Sequence, residues 1–143
     1  MPQTSWLFWA LLSAVFAAMT AVFTKLGVNT INSDFATFIR TCVILVLVTA
    51  IAFATKQFQP ISSISGKGLT FLVLSGLATG ASWLCYFRAM NLGQASQVAP
   101  IDKLSVVLVA IFSVMLLGEQ LSTTNWFGIV LITVGVILVA WQN

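Results

Sequence analysis

Thr41-Cys42-Val43-Ile44-Leu45-Val46-Leu47-Val48-Thr49-Ala50-Ile51-Ala52-Phe53-Ala54-Thr55 runs without a charge, and its apolar residues do not alternate with polar ones. A strand of a membrane barrel would show that alternation over ~10 residues. Backbone N–H and C=O groups in hydrocarbon must pair within their own helix or around a closed barrel, so an unbroken apolar run selects a helix. The same reading extends outward from this stretch. Ser5–Thr24, Gly68–Phe87, Leu104–Gly118 and Gln120–Asn143 are uncharged too. A helix rises ~1.5 Å per residue and the hydrocarbon core is ~30 Å thick, so about 20 residues cross it. Extending the second run back to Phe35 and the fourth to about Val98 gives five such segments. The expected fold is an all-α membrane protein: one domain over residues 1–143, with spans at about 6–26, 35–55, 68–90, 96–117 and 125–141 in a compact five-helix bundle.

Composition supports this. The chain is 59% hydrophobic and 6% charged, with a mean hydropathy of +1.06. A soluble domain carries ~25% charged residues, so no polar coat is available here. Met1–Ser5 has neither Lys nor Arg, and the run after it is longer than a signal-peptide core; Trp6–Lys25 is read as a retained first span. A net charge of +3, dispersed along the chain, argues against nucleic acid as a partner. The partners expected are the lipid bilayer and a small-molecule solute. Cys42 and Cys85 fall within apolar runs and are expected to be small buried hydrophobes. Histidine is absent, which removes the commonest metal ligand and general base; no cofactor, metal or catalytic group is expected. A Ser–Lys dyad from Lys103 and Ser105, or from Lys25 and Thr24, fails because helix neighbours one or two apart do not face each other.

Short joints separate the runs: Gly27–Asp34, Lys56–Lys67, Asn91–Gln97 and Gly118–Thr124. Their Gly, Asn, Ser and Pro residues end helices and make turns. Ser33 or Asp34 is the expected N-cap of the second helix, and Thr124 or Asn125 that of the fifth. Small residues recur at Gly76 and Gly80, at Ser13, Ala17 and Ala21, and at Gly128 and Gly135. They predict close helix packing, within the chain or against a second copy. Trp6, Trp9, Trp126 and Trp141 lie near span ends, as interfacial anchors do. Trp83 and Tyr86 lie deeper, beside Arg88, and are candidate linings of a solute cavity.

An odd number of spans places the two termini on opposite faces. On the face of Met1 lie the loop basics Lys56 and Lys67; toward the other face lie Lys25, Arg40, Arg88 and Lys103. Loop charges and charges near span ends therefore give opposite answers to the positive-inside rule. The chain is expected to insert either way, so that two inverted copies can build what many transporters build from two inverted halves. The ionisable cluster Lys25, Arg40, Arg88, Asp102 and Lys103 gathers toward one face and is costly at depth. Asp102 is expected to pair with Arg40 or Lys25. Surplus positive charge favours anionic or zwitterionic solutes, and the same cluster can serve as a salt-bridged gate. Pro100 is a first-turn residue if its helix starts at Val98, and a kink beside Asp102 if it starts at Ala95.

The stretch Ala99-Pro100-Ile101-Asp102-Lys103-Leu104-Ser105, with Leu117-Gly118-Glu119-Gln120-Leu121-Ser122 and Trp126-Phe127-Gly128, resembles the EamA-type domain of the drug/metabolite transporter superfamily. Thr24-Lys25-Leu26-Gly27, Phe38-Ile39-Arg40 and Tyr86-Phe87-Arg88-Ala89-Met90 are similar to it as well. Most members have ten spans in two inverted five-span repeats; this chain resembles one repeat, as in the short five-span group. The resemblance implies a secondary transporter of amino acids or other small metabolites, commonly for export, in the inner membrane of a prokaryote. The expected mechanism is alternating access at the interface of an antiparallel, dual-topology homodimer. Lys25, Arg40, Trp83, Tyr86, Arg88, Asp102 and Lys103 are the expected pathway or gate residues. Two other readings compete. Small-multidrug-type cation efflux wants a carboxylate in the first span, and Trp6–Thr24 has none. A non-transporting accessory subunit fits the small-residue faces but leaves the charged cluster without a purpose.

Overall fold

The computed structural model describes residues 4–28 and 30–141. The charge-free residues 1–3 ahead of the first span, residue 29 of the first joint and residues 142–143 of the last run lie outside the described residues. All regular structure among the described residues is helical: α1 (Thr4–Val28), α2 (Ser33–Ala54), a 3-10 turn (Ile61–Ser63), α3 (Gly66–Leu92), α4 (Ala95–Asp102), α5 (Ser105–Leu117) and α6 (Thr123–Ala140). Five stretches are long and apolar enough to cross a membrane: Trp6–Val28, Ser33–Ala54, Gly66–Leu92, Ala95–Leu117 and Thr123–Ala140. The chain is an all-α, multi-pass membrane protein.

The helix starts are set by side chains other than those expected. Asn32, ahead of Ser33, caps α2: its Oδ1 accepts from the amides of Asp34 (2.9 Å) and Phe35 (3.3 Å). Asn reaches the second and third amides of a helix as Ser and Asp do, and here it stands one residue earlier. Ser33 and Asp34 are thereby drawn into the first turn. For α6 the cap is Ser122, whose Oγ accepts from the Asn125 amide at 3.2 Å. At the other end of α5, Gly118 adopts φ +69° and the Glu119 amide reaches back to the Ser113 carbonyl at 3.1 Å. That six-residue closure needs a left-handed residue, which glycine supplies without a Cβ clash.

Hydroxyls within the helices, and that of Thr55 at the C-cap of α2, are satisfied locally. Thr37, Thr41, Thr55, Thr70, Thr79 and Thr133 each donate to the carbonyl four residues back, at 2.8–3.0 Å. Such back-bonding lets a polar residue sit in an apolar span with no partner on another helix.

The chain forms two units. One is Thr24–Asn91, holding the end of α1, α2 and α3; the other joins the residues up to Phe23 with those from Leu92 onward. In the first, Thr24, Val28, Thr37, Phe87 and Met90 are buried, all of them from the α1 end, the α2 start and the α3 end. In the second, α6 packs along α4 and, over a shorter stretch, α5, and Ser113 and Val136 are buried. Many large apolar side chains of α2 and α3, such as Leu45, Val46, Phe71 and Leu77, point outward. Lipid is as apolar as leucine, so exposing them there carries no penalty. A methyl placed on Gly76, Gly80, Gly128 or Gly135 would meet no atom within 4 Å. Among the described residues, no side chain or neighbouring helix crowds these four glycines. Cys42 and Cys85 are free and exposed rather than buried: on α2 and α3 they share the outward surface with the apolar side chains.

The fourth apolar stretch is not one helix. α4 starts at Ala95 after the N-cap Gln94, which places Pro100 inside the helix and not in its first turn. Proline has no N–H to give the Ser96 carbonyl, and its ring crowds that carbonyl. Beyond it the amides of Lys103, Leu104, Val106 and Val107 bond three residues back, at 2.9–3.0 Å. This tighter 3-10 pattern carries the chain through Lys103 and Leu104 before α5 resumes at Ser105.

Candidate functional site

The end of α1, the start of α2 and the end of α3 come together in the first unit, and helix-end chemistry dictates how. The last carbonyls of α1 and α3 have no partner within their own helices, and the C-terminal end of a helix attracts a cation. Each helix supplies the other's missing donor. Lys25 Nζ of α1 donates to the Met90 carbonyl of α3 at 2.8 Å, and Asn91 Nδ2 of α3 donates to the Val28 carbonyl of α1 at 3.0 Å. The start of α2 attracts an anion for the same reason, and Asp34 occupies its first turn. Arg88, near the end of α3, meets it with both arms of its fork: Nε to Oδ1 at 3.1 Å and Nη2 to Oδ2 at 2.8 Å. Ser33 Oγ adds a longer contact to Asp34 Oδ1 at 3.4 Å. The three links occupy neighbouring positions, 88, 90 and 91, of one helix end.

Deeper along α2, Arg40 takes a different position. Its guanidinium carbon lies 4.6 Å from the Trp83 ring centroid and 5.3 Å from that of Phe87. A cation over an aromatic face at these distances contributes on the order of 0.5–2 kcal/mol, more when water is excluded. Phe87 is buried and Trp83 half-buried, so the shelf under Arg40 is fixed by packing. Tyr86 stands beside it, edge to face with Phe87 at 6.4 Å.

The structure thus brings Lys25, Arg40, Trp83, Tyr86 and Arg88 to one end of the first unit. Asp102 and Lys103 belong to the second. Within its own unit Asp102 makes a local pair, Lys103 Nζ to Asp102 Oδ2 at 3.1 Å. The pair forms where α4 ends at Asp102 and Lys103 enters the turn before α5. Pro100 sits two residues before this pair. Four residues of the first site escaped the sequence reading. Asp34 counted only as a possible cap, Asn91 only as the start of a joint, and Phe87 and Met90 only as members of a family-like stretch, with no role assigned to them. Among the described residues no group of three His, Cys, Asp or Glu side chains could hold a metal ion.

Residues 4–141 match the EamA-like transporter family. The chain belongs to that family. It is 62% identical, over 136 residues, to a Sinorhizobium sp. protein described as an uncharacterized transporter in the cobO 3′ region; the match covers 95% of this chain and 96% of that one. An uncharacterized protein of Methanocaldococcus jannaschii is 31% identical over 77 residues, covering 54% of this chain and 56% of its own. No solved structure gives a significant match. Membership of the EamA-like family and a near-full-length relative named as a transporter make this chain a small-molecule transporter.

Proposed function

We propose that the protein is a secondary transporter of small polar or anionic metabolites, amino-acid-like solutes among them, working as an exporter in the inner membrane of a prokaryote. Two inverted copies form the working unit, and the solute passes at their interface by alternating access. Lys25, Arg40, Trp83, Tyr86 and Arg88 line the pathway or its gate in each copy, and the break after Pro100, with Asp102 and Lys103, gives the fourth span a place to bend. The observation that carries this reading is the arrangement at the ends of α1, α2 and α3. Ionic and aromatic side chains meet there on helices otherwise devoted to lipid, where charge is expensive and kept for function. Inverted pairing draws support from the opposing Lys and Arg tallies, and from Gly76, Gly80, Gly128 and Gly135, whose open surroundings leave room for another helix.

Reporters fused at either end should be found on both sides of the membrane. Adding three lysines after residue 143 should fix one orientation and abolish efflux from cells preloaded with a panel of amino acids. Efflux that persists when every molecule inserts the same way removes the inverted pair. Wild-type efflux by both Arg40→Ala and Asp102→Asn, at normal membrane levels, removes the site.

A further inference from the structure

We infer that Arg40, laid on Trp83 and Phe87, is a subsite for the carboxylate of a small solute, an assignment that rests on reading the chain as a solute carrier. A guanidinium divides its surface between two kinds of partner. Its faces stack on aromatic rings, while its N–H donors lie in the plane and point outward. In this structure the face is taken by Trp83 and Phe87, at 4.6 and 5.3 Å. The edge is not taken: among the described residues no acceptor or carboxylate bonds to Arg40. Arg88, by contrast, commits two of its donors to Asp34. Arg40 follows the start of α2 by seven residues (33 to 40), which is about 10 Å along a helix. An arginine held at that depth on a fixed aromatic shelf, with its donor edge open, lacks a partner that neither Asp34 nor a backbone carbonyl supplies.

The missing partner is defined by geometry and charge. Two parallel N–H donors match the two oxygens of one carboxylate or of a phosphate monoester. A single guanidinium with no second arginine free beside it balances one negative charge, which is what a carboxylate carries. A lipid phosphate offers the same oxygens from another source, and the test must separate the two.

The test uses a single-tryptophan protein, W6F/W9F/W126F/W141F, purified in maltoside micelles without phospholipid, so that fluorescence reports Trp83 alone. Iodide is the anionic quencher and acrylamide the neutral one. Iodide should quench Trp83 saturably, acetate should relieve that quenching, and acetamide should not. Arg40→Gln should weaken acetate competition by about 10- to 100-fold, the range for losing a charge-assisted hydrogen-bonded pair. Arg40→Lys should retain iodide quenching and lose most of the preference for acetate. Unchanged acrylamide quenching and thermal midpoint show that the variants are folded. Quenching that follows Arg88→Gln instead of Arg40→Gln overturns the assignment. So does competition by phosphatidylglycerol at concentrations where acetate has no effect, which would make this a headgroup site. Micelles need no flux, so the outcomes stay separate: competition without transport in vesicles removes the transporter, whereas transport without competition removes the subsite.

Discussion

Replacing Pro100 by alanine is the most searching perturbation of the broken span. Proline in a helix interior costs ~3 kcal/mol relative to alanine, through its lost N–H and its ring's clash with the carbonyl four residues back. The amides of Lys103, Leu104, Val106 and Val107 bond three residues back, and none of these bonds reaches the Ser96 carbonyl that the proline leaves without its donor. What alanine can restore is one bond to the Ser96 carbonyl, ~1 kcal/mol net, and release from the ring. Pro100→Ala should therefore stabilise the protein by about 1–3 kcal/mol, read from denaturant unfolding in micelles. Hydrogen exchange is the sharper assay. The new amide at position 100 should be protected, and those of Lys103 and Leu104 should slow as the 3-10 turns revert to α-helix. If they exchange as before and stability does not rise, the proline does not make the break, and the packing of α4 on α6 has to be held responsible.

Three further outcomes follow from local geometry. Gly118→Ala should cost about 1–2 kcal/mol, because φ +69° is left-handed and a methyl there meets open space, so backbone strain alone is measured. Asn91→Leu should cost about 1–3 kcal/mol by leaving the buried Val28 carbonyl without its donor, and amide exchange near the end of α1 should quicken. Asp34→Asn and Arg88→Gln remove the same link, so the double variant should be no less stable than the weaker single one; additive losses in a double-mutant cycle would show that the pair is not coupled.

Much of the fold could be read because lipid imposes a simple rule. A run such as Val43–Val48 has one viable backbone arrangement in hydrocarbon, and segment length does the rest. What could not be read depended on competition between near neighbours. Asn32, Ser33 and Asp34 are all good caps, and only geometry shows that Asn32 wins and frees Asp34 to meet Arg88. The charges near one face were visible as a group, but their partners were not. Side chains reach between the ends of α1 and α3 to bond backbone carbonyls of Met90 and Val28, and a carbonyl leaves no trace in composition. The pair of Asp102 with its neighbour Lys103 was hidden for a different reason: it forms where α4 stops, two residues after Pro100.

Arg88, Met90 and Asn91 sit within a single turn of α3, and each belongs to a bond with a different residue of α1 or α2. One residue of helix turns the side chains by ~100° and lifts them by ~1.5 Å. A rotation or rise of α3 by that amount cannot loosen one bond and spare the others. The latch lets go everywhere at once or stays shut, so this end of the protein behaves as a catch with two positions and not as a spring with many.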